Sequence, residues 1–238
     1  MTSTEPTRIG HAFTEFTAPG QRRGQAGAST MSARDPIHDL VGDEWVAAMR
    51  ARRAANRNAG YVKHRQARYA DASYTKLRAD QTADGKIAAW FDRGPRALVI
   101  AGPSRTGKTT AAYAITNDAA TRGAWVVART ALGLSAALKP DGEPFALQYA
   151  LDCDLLLLDD LGRERVTDWW LEQLQHIVDE RCGNQRRLIV TANTPADSAA
   201  AFDSLAERYG DPLAERLIDG SGLVVLDGEP IREVVTEW

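Results

Sequence analysis

The sequence predicts an α/β fold, a three-layer domain on a five-stranded parallel sheet, and three features carry that prediction. Short apolar runs recur at Ala97 to Ala101, Ala124 to Ala128, Leu155 to Leu158, Leu188 to Thr191 and Leu223 to Leu226, with helical segments between most of them. Strands that are apolar along their whole length are covered on both faces, as in a parallel sheet with helices above and below. The first run feeds a glycine-rich turn that opens an alanine-rich helix, Lys108 to about Ala120. The third ends in two acids, Asp159 and Asp160.

Ahead of the sheet the chain divides in two. Residues 1–34 are rich in Thr, Ser, Gly and Ala and lack apolar periodicity. Such a segment buries too little surface to offset its ordering entropy and reads as a disordered tail. Residues 35–64 read as a helical, basic extension, and residues 65–238 as the α/β domain. Asp43 can cap a helix whose apolar residues Trp45, Val46 and Met49 fall on one side, and Asn58-Ala59-Gly60 is expected to break it before Tyr61. Arg50, Arg52, Arg53, Arg57, Lys63, Arg65 and Arg68 follow with no acidic residue among them. That stretch suits a nucleic-acid backbone, an acidic partner protein, or simply a solvated helix face. Residues 1–96 hold 16 Lys/Arg against 10 Asp/Glu, while the remainder holds 13 against 22, so the net charge of -3 hides a basic front and an acidic body.

Between the third and fourth runs, Trp170, Leu174, Ile177 and Val178 follow the i, i+4, i+7, i+8 spacing of one buried helix face over Thr167 to Cys182. Gly183-Asn184 is the expected stop. With 238 residues, 44% of them hydrophobic and 26% charged, the chain has the composition of a soluble domain with an appendage. Cys153 and Cys182 form no metal-spaced pair and read as reduced thiols. No apolar run approaches the ~18 residues of a membrane span, and Met1 to Gly20 has no signal-peptide core. The expectation is a cytoplasmic protein without a membrane partner.

The chemistry is concentrated in the turn after the first run. Gly102-Pro103-Ser104-Arg105-Thr106-Gly107-Lys108-Thr109 fits G-x-x-x-x-G-K-[ST] throughout, a match expected by chance on the order of 1% of the time in a chain of this length. Its glycines let backbone N–H groups turn inward as a nest for phosphates, and the following helix adds its dipole. Lys108 is expected at the β- and γ-phosphates of ATP, the Thr109 hydroxyl on Mg²⁺, and Thr110 beside them. Asp159 and Asp160, at the carboxyl end of a parallel strand, fall in the crevice where α/β ligands bind. Asp159 is the expected Mg²⁺ partner through water, and Asp160 the group that orients or deprotonates an attacking water.

The order of further segments makes a resemblance specific. After the phosphate loop come Leu158-Asp159-Asp160-Leu161-Gly162, then Ile177-Val178-Asp179-Glu180-Arg181, then Val190-Thr191-Ala192-Asn193. Gly210-Asp211-Pro212-Leu213-Ala214-Glu215-Arg216-Leu217 and Gly228-Glu229-Pro230-Ile231-Arg232 close the series. Together they resemble the AAA+ ATPases (P-loop NTPases of the ASCE division) of the DnaC/DnaI helicase-loader and IstB group. Arg65 to Ser73 is similar to that group's lead-in to the first strand. The resemblance runs from about Arg65 to Val235 and implies an ATPase that completes its site between subunits of a homo-oligomer. It implies Asn193 as a sensor of the γ-phosphate, Arg216 as an arginine finger reaching a neighbouring subunit (Arg208 being the runner-up), and Arg232 as a second sensor. It departs in having Asp160 where many AAA+ proteins have Glu, and in lacking cysteines for the N-terminal zinc site of some loaders.

The function this implies is ATP-dependent loading of a replicative helicase onto single-stranded DNA. The alternatives are an IstB-like transposition helper acting on duplex DNA, a small P-loop kinase, and a binding module in which nucleotide is a structural ligand.

Overall fold

The computed structural model describes residues 41–229. The expected disordered tail, and Arg232 with the end of its segment, lie outside them. Five parallel strands form one sheet: β1 (Ala97–Ala101), β2 (Val126–Thr130), β3 (Leu155–Leu161), β4 (Arg187–Ala192) and β5 (Ser221–Val225), in the order β2-β3-β4-β1-β5. The sheet and its covering helices are the fold that the apolar runs predict. Because side chains alternate along each strand, the sheet feeds two cores.

On one face, Leu98, Ile100, Leu155, Leu157 and Ile189 pack with Ile87 and Trp90 of α2 (Lys86–Arg93) and with Ala111, Tyr113, Ile115 and Ala119 of α3 (Lys108–Thr121). On the other, Val99, Leu156, Leu158, Leu188 and Val190 meet a second set of helices. These are α4 (Ala131–Ala137), α5 (Ala146–Asp152), α6 (Asp168–Gly183), α7 (Ser198–Tyr209) and α8 (Asp211–Ile218). Trp170, Leu174, Ile177 and Val178 of α6 are all buried there, as their spacing predicts. The Thr167 hydroxyl caps α6 by accepting from the Trp170 N–H, and Asp197 caps α7 through Ala199 and Ala200.

The N-terminal helix departs from the sequence expectation in three respects. Helix α1 (Gly42–His64) runs straight through Asn58-Ala59-Gly60. A glycine in an exposed helix costs only about 1 kcal/mol. Against this, Tyr61 is 3% exposed, donates to Asn117 Oδ1 at 2.7 Å and lies 2.9 Å from Thr116 Oγ1. That anchor on α3 holds the last turn in register. Val41, without a side-chain bond, occupies the cap position instead of Asp43, which sits inside the first turn where its charge still favours the positive end of the helix dipole. Trp45 and Val46 are exposed, so the described residues bury no apolar face there.

Asn117 also fastens the segment after α1, donating to the carbonyls of Tyr69 at 3.0 Å and Ala72 at 2.9 Å and accepting from Arg65 at 2.9 Å. Residues 65–76 thereby lie along α3 and form a wall of the cleft described next. Among the described residues no helix is long and apolar enough to cross a membrane.

Candidate nucleotide-binding site

A cleft of about 1080 Å³ opens at the carboxyl ends of β3 and β4. Ser104, Arg105, Gly107, Lys108, Thr109 and Thr110 form one side, and Asp159, Asp160 and Asn193 another. Gly102, Pro103 and Thr106 complete the loop without lining the cleft, the Thr106 hydroxyl donating to the Pro103 carbonyl at 3.0 Å. The loop is wound by positive φ at Gly102 (130°), Arg105 (69°) and Gly107 (94°), the alternation that turns backbone N–H groups to one side. At Gly102 and Gly107 these φ values disfavour any side chain, and close neighbours add to the constraint. A Cβ on Gly102 would lie 2.2 Å from the Leu226 carbonyl oxygen, and one on Gly107 would lie 2.0 Å from Gln81 Nε2. Gln81, 2% exposed, donates to the Thr106 carbonyl at 3.3 Å, and the Thr194 hydroxyl accepts from the Gly102 N–H at 2.9 Å.

Lys108 folds over the loop, donating to the carbonyls of Gly102 at 2.9 Å and Pro103 at 2.5 Å. Burial lowers its pKa to about 8 against the opposing pull of Asp160 and Asp159. Asp159 is 2% exposed, and one of its oxygens accepts from both Thr191, at 2.7 Å, and Thr109, at 2.9 Å. Burial raises its pKa, opposed by those two hydroxyls and by Lys108. Among the described residues no cation pairs with this carboxylate within 4.0 Å. A hydroxyl and a buried carboxylate on adjoining elements make the hard oxygen set that suits Mg²⁺ beside phosphates.

In a regular strand Asp159 and Asp160 would face opposite sides of the sheet. Here β3 bulges: Leu158 pairs with Val190 but Leu161 with Ala192, and Asp160 takes a φ of 61°. Both acids therefore line the cleft. Thr191 sets the bulge by accepting from the Asp160 N–H at 2.8 Å while donating to Asp159. Asn193 donates to Asp160 Oδ1 at 3.1 Å and Arg163 to Oδ2 at 3.0 Å, so both carboxylate oxygens are oriented.

A family model for IstB-like ATP binding proteins matches residues 12–235. The chain belongs to this family. Among solved structures, this IstB-like chain is similar to the DnaC helicase loader at 24% identity and a TM-score of 0.58, covering 68% of this chain and 100% of that one. It is similar to DnaI at 20% identity and a TM-score of 0.57, covering 71% and 94%. A replication initiator, DnaA bound to AMPPCP and single-stranded DNA, matches at 21% identity and a TM-score of 0.56, covering 66% and 50%. At these identities the likeness carries the fold. Among curated proteins none matches.

Placing the remaining residues on this IstB-like frame separates two groups. Asn193 meets Asp160 in the cleft, whereas Arg216, on α8, lies outside it and pairs with Asp179 of α6 at 2.8 Å. Arg208 is held within its own chain by the Glu164 carbonyl at 2.9 Å. Sequence reasoning missed Gln81, Arg163, Thr191 and Thr194 as parts of the site. Thr191 stood inside the quoted Val190-Thr191-Ala192-Asn193 segment, and only its two-way hydrogen bonding reveals its role. Tyr69, stacked on Tyr113 at 4.8 Å between ring centroids, adds an aromatic wall.

The depressed Lys108 pKa gives a signed prediction. Without phosphates the amine is about half neutral at pH 8, and an anion there restores the charged form. ATP binding at pH 8 should take up roughly half a proton, less toward pH 7 where Lys108 is already charged. Calorimetry in buffers of different ionisation enthalpy measures this, and Lys108→Arg should remove the uptake because a guanidinium stays charged throughout.

Proposed function

We propose that the chain is a cytoplasmic ATPase that loads a replicative helicase onto single-stranded DNA and hydrolyses ATP between copies of itself. The observation that carries the reading is the assembly of Lys108, Thr109, Asp159, Asp160 and Asn193 around one cleft in a chain of the IstB-like ATP binding family. Lys108 would leave its loop carbonyls for the β- and γ-phosphates of ATP. Thr109 and Asp159 would hold Mg²⁺, whose charge offsets that of the phosphates. Asp160, fixed by Asn193 and the bulge, would take the proton of the water whose oxygen attacks the γ-phosphorus as the bond to the leaving ADP oxygen breaks.

Arg216 fits a role in trans. It lies outside its own chain's cleft and is half-exposed on α8, so a guanidinium there is available to a neighbour's phosphates at the modest cost of an exposed ion pair. The partner class is supported by the solved DnaC helicase loader and by the DnaA structure with single-stranded DNA. The family match also favours a second reading, the IstB-like transposition helper, which would act on duplex DNA with a transposase in place of a helicase.

A candidate surface for single-stranded DNA lies along α1 and the sheet edge β2. Arg50, Arg53 and Arg57 are exposed on α1, and the Arg57 guanidinium sits 4.5 Å above the Trp125 ring. Trp125 meets Tyr149 edge to face at 5.9 Å, and Phe145, 71% exposed, lies 6.3 Å beyond. Arginines beside exposed rings such as Phe145 and Tyr149 suit stacked bases on a tracked backbone.

Two experiments test these assignments. Arg216→Ala should bind ATP normally but hydrolyse it about 10³-fold or more slowly, and mixing it with Lys108→Ala should restore activity where an intact loop meets an intact finger. A verified mixed assembly no more active than its parts would remove the trans role. Tyr149→Ala should weaken single-stranded DNA binding by roughly 5-fold or more in a fluorescence-anisotropy titration, leaving ATP affinity unchanged. Unchanged DNA affinity would move the surface elsewhere, and a preference for duplex would favour the transposition reading.

A further inference from the structure

Beyond the cleft, one buried acid is unaccounted for by nucleotide chemistry. Glu164 is 2% exposed and lies four residues after Asp160. Its Oε1 accepts from the Tyr209 hydroxyl at 2.5 Å and the Trp170 indole N–H at 3.2 Å, and its Oε2 from the Gly162 N–H at 3.0 Å. Its carbonyl oxygen accepts from Arg208 at 2.9 Å. The three groups meeting the carboxylate all donate, which suits a side chain that only accepts. Trp170 is fully buried and Tyr209 5% exposed, so the network is shielded from water and costly to leave half-satisfied.

The position of these partners matters more than their number. Gly162 belongs to the turn that returns Arg163 onto Asp160. Trp170 begins the buried face of α6, and Tyr209 ends α7. Gly210, with a φ of 85°, is the joint between α7 and α8, and α8 carries Arg216. One carboxylate therefore ties the turn beside the hydrolytic acid to the joint that starts the helix bearing the exposed arginine.

We propose that Glu164 is a positioning residue for hydrolysis, holding the turn that fixes Asp160 and the α7–α8 joint that places Arg216 in one fixed relation. The inference rests on the reading that Asp160 and Arg216 act on ATP. Glu164 touches neither the cleft nor the surface, and acts through Gly162 and Tyr209.

The test uses the full chain with Glu164→Gln, Tyr209→Phe and the double variant. The amide keeps the shape of Glu164 but turns an N–H toward at least one group that also donates. Each single variant should keep a cooperative melt and bind a non-hydrolysable ATP analogue within about 2-fold of wild type. Turnover at saturating ATP should fall about 10- to 100-fold, the scale of a small misplacement of reacting groups. The double variant should be no slower than the slower single one, because both changes cut the same link. Wild-type turnover in Glu164→Gln would overturn the proposal alone. So would a loss of analogue binding and melting cooperativity in step with turnover in both single variants, which marks a purely structural residue. A wild-type chain that binds ATP without hydrolysing it would instead overturn the hydrolysis reading, and this proposal with it.

Discussion

The carboxylate of Asp159 is the constraint around which the rest is arranged. It sits near the carboxyl end of β3 with 2% of its surface exposed, in surroundings that raise its pKa. A buried charge of this kind persists only if several groups converge on it. Thr109 and the field of Lys108 arrive from the first turn of α3, and Thr191 from β4. Satisfying one carboxylate thus sets the rotation of α3, the register of β3 on β4 and the closure of the phosphate loop. The bulge follows, because the Thr191 hydroxyl that donates to Asp159 must accept from the next residue's N–H, which turns Asp160 into the same cleft.

The loop is held as firmly from outside. Leu226 closes against Gly102, Gln81 against Gly107, and Thr194 against the Gly102 N–H. Gln81 belongs to a short turn that caps itself through Arg78, whose guanidinium also pairs with Asp80. The lead-in before β1 and the exit from β5 therefore meet at the phosphate loop, although 145 positions separate Gln81 from Leu226. On the other side, Arg163 closes the acid-bearing turn onto Asp160, and Glu164 ties that turn to Arg208 and Tyr209 at the end of α7, from which α8 and Arg216 follow.

What the sequence made legible was the part of the structure governed by local pattern. Five apolar runs located five strands to within three residues at either end, and the i, i+4, i+7, i+8 spacing found the buried face of α6. The phosphate motif located the cleft because its glycines answer a backbone need that few other residues meet. The bulge at Asp160 was not legible, since strict alternation along β3 sends adjacent acids to opposite faces and only pairing with β4 breaks it. Nor was the continuity of α1. Asn58-Ala59-Gly60 carries a genuine local breaking signal, and it is overridden by a tyrosine reaching residues 55 and 56 positions away. Gln81, Thr194 and Glu164 were invisible for the same reason. Each is an ordinary polar residue until the fold supplies its partners.

The central claim is that Asp159 and Thr109 form the metal side of a nucleotide site. Its most direct test is the Mg²⁺ dependence of ATP affinity in wild type and Asp159→Asn, measured by calorimetry on chains with the same melting transition. The account predicts that Mg²⁺ tightens ATP binding in wild type by roughly 10-fold or more and has little effect in the variant, because the amide cannot supply the charge that holds the ion. An equal Mg²⁺ dependence in the two proteins would contradict it.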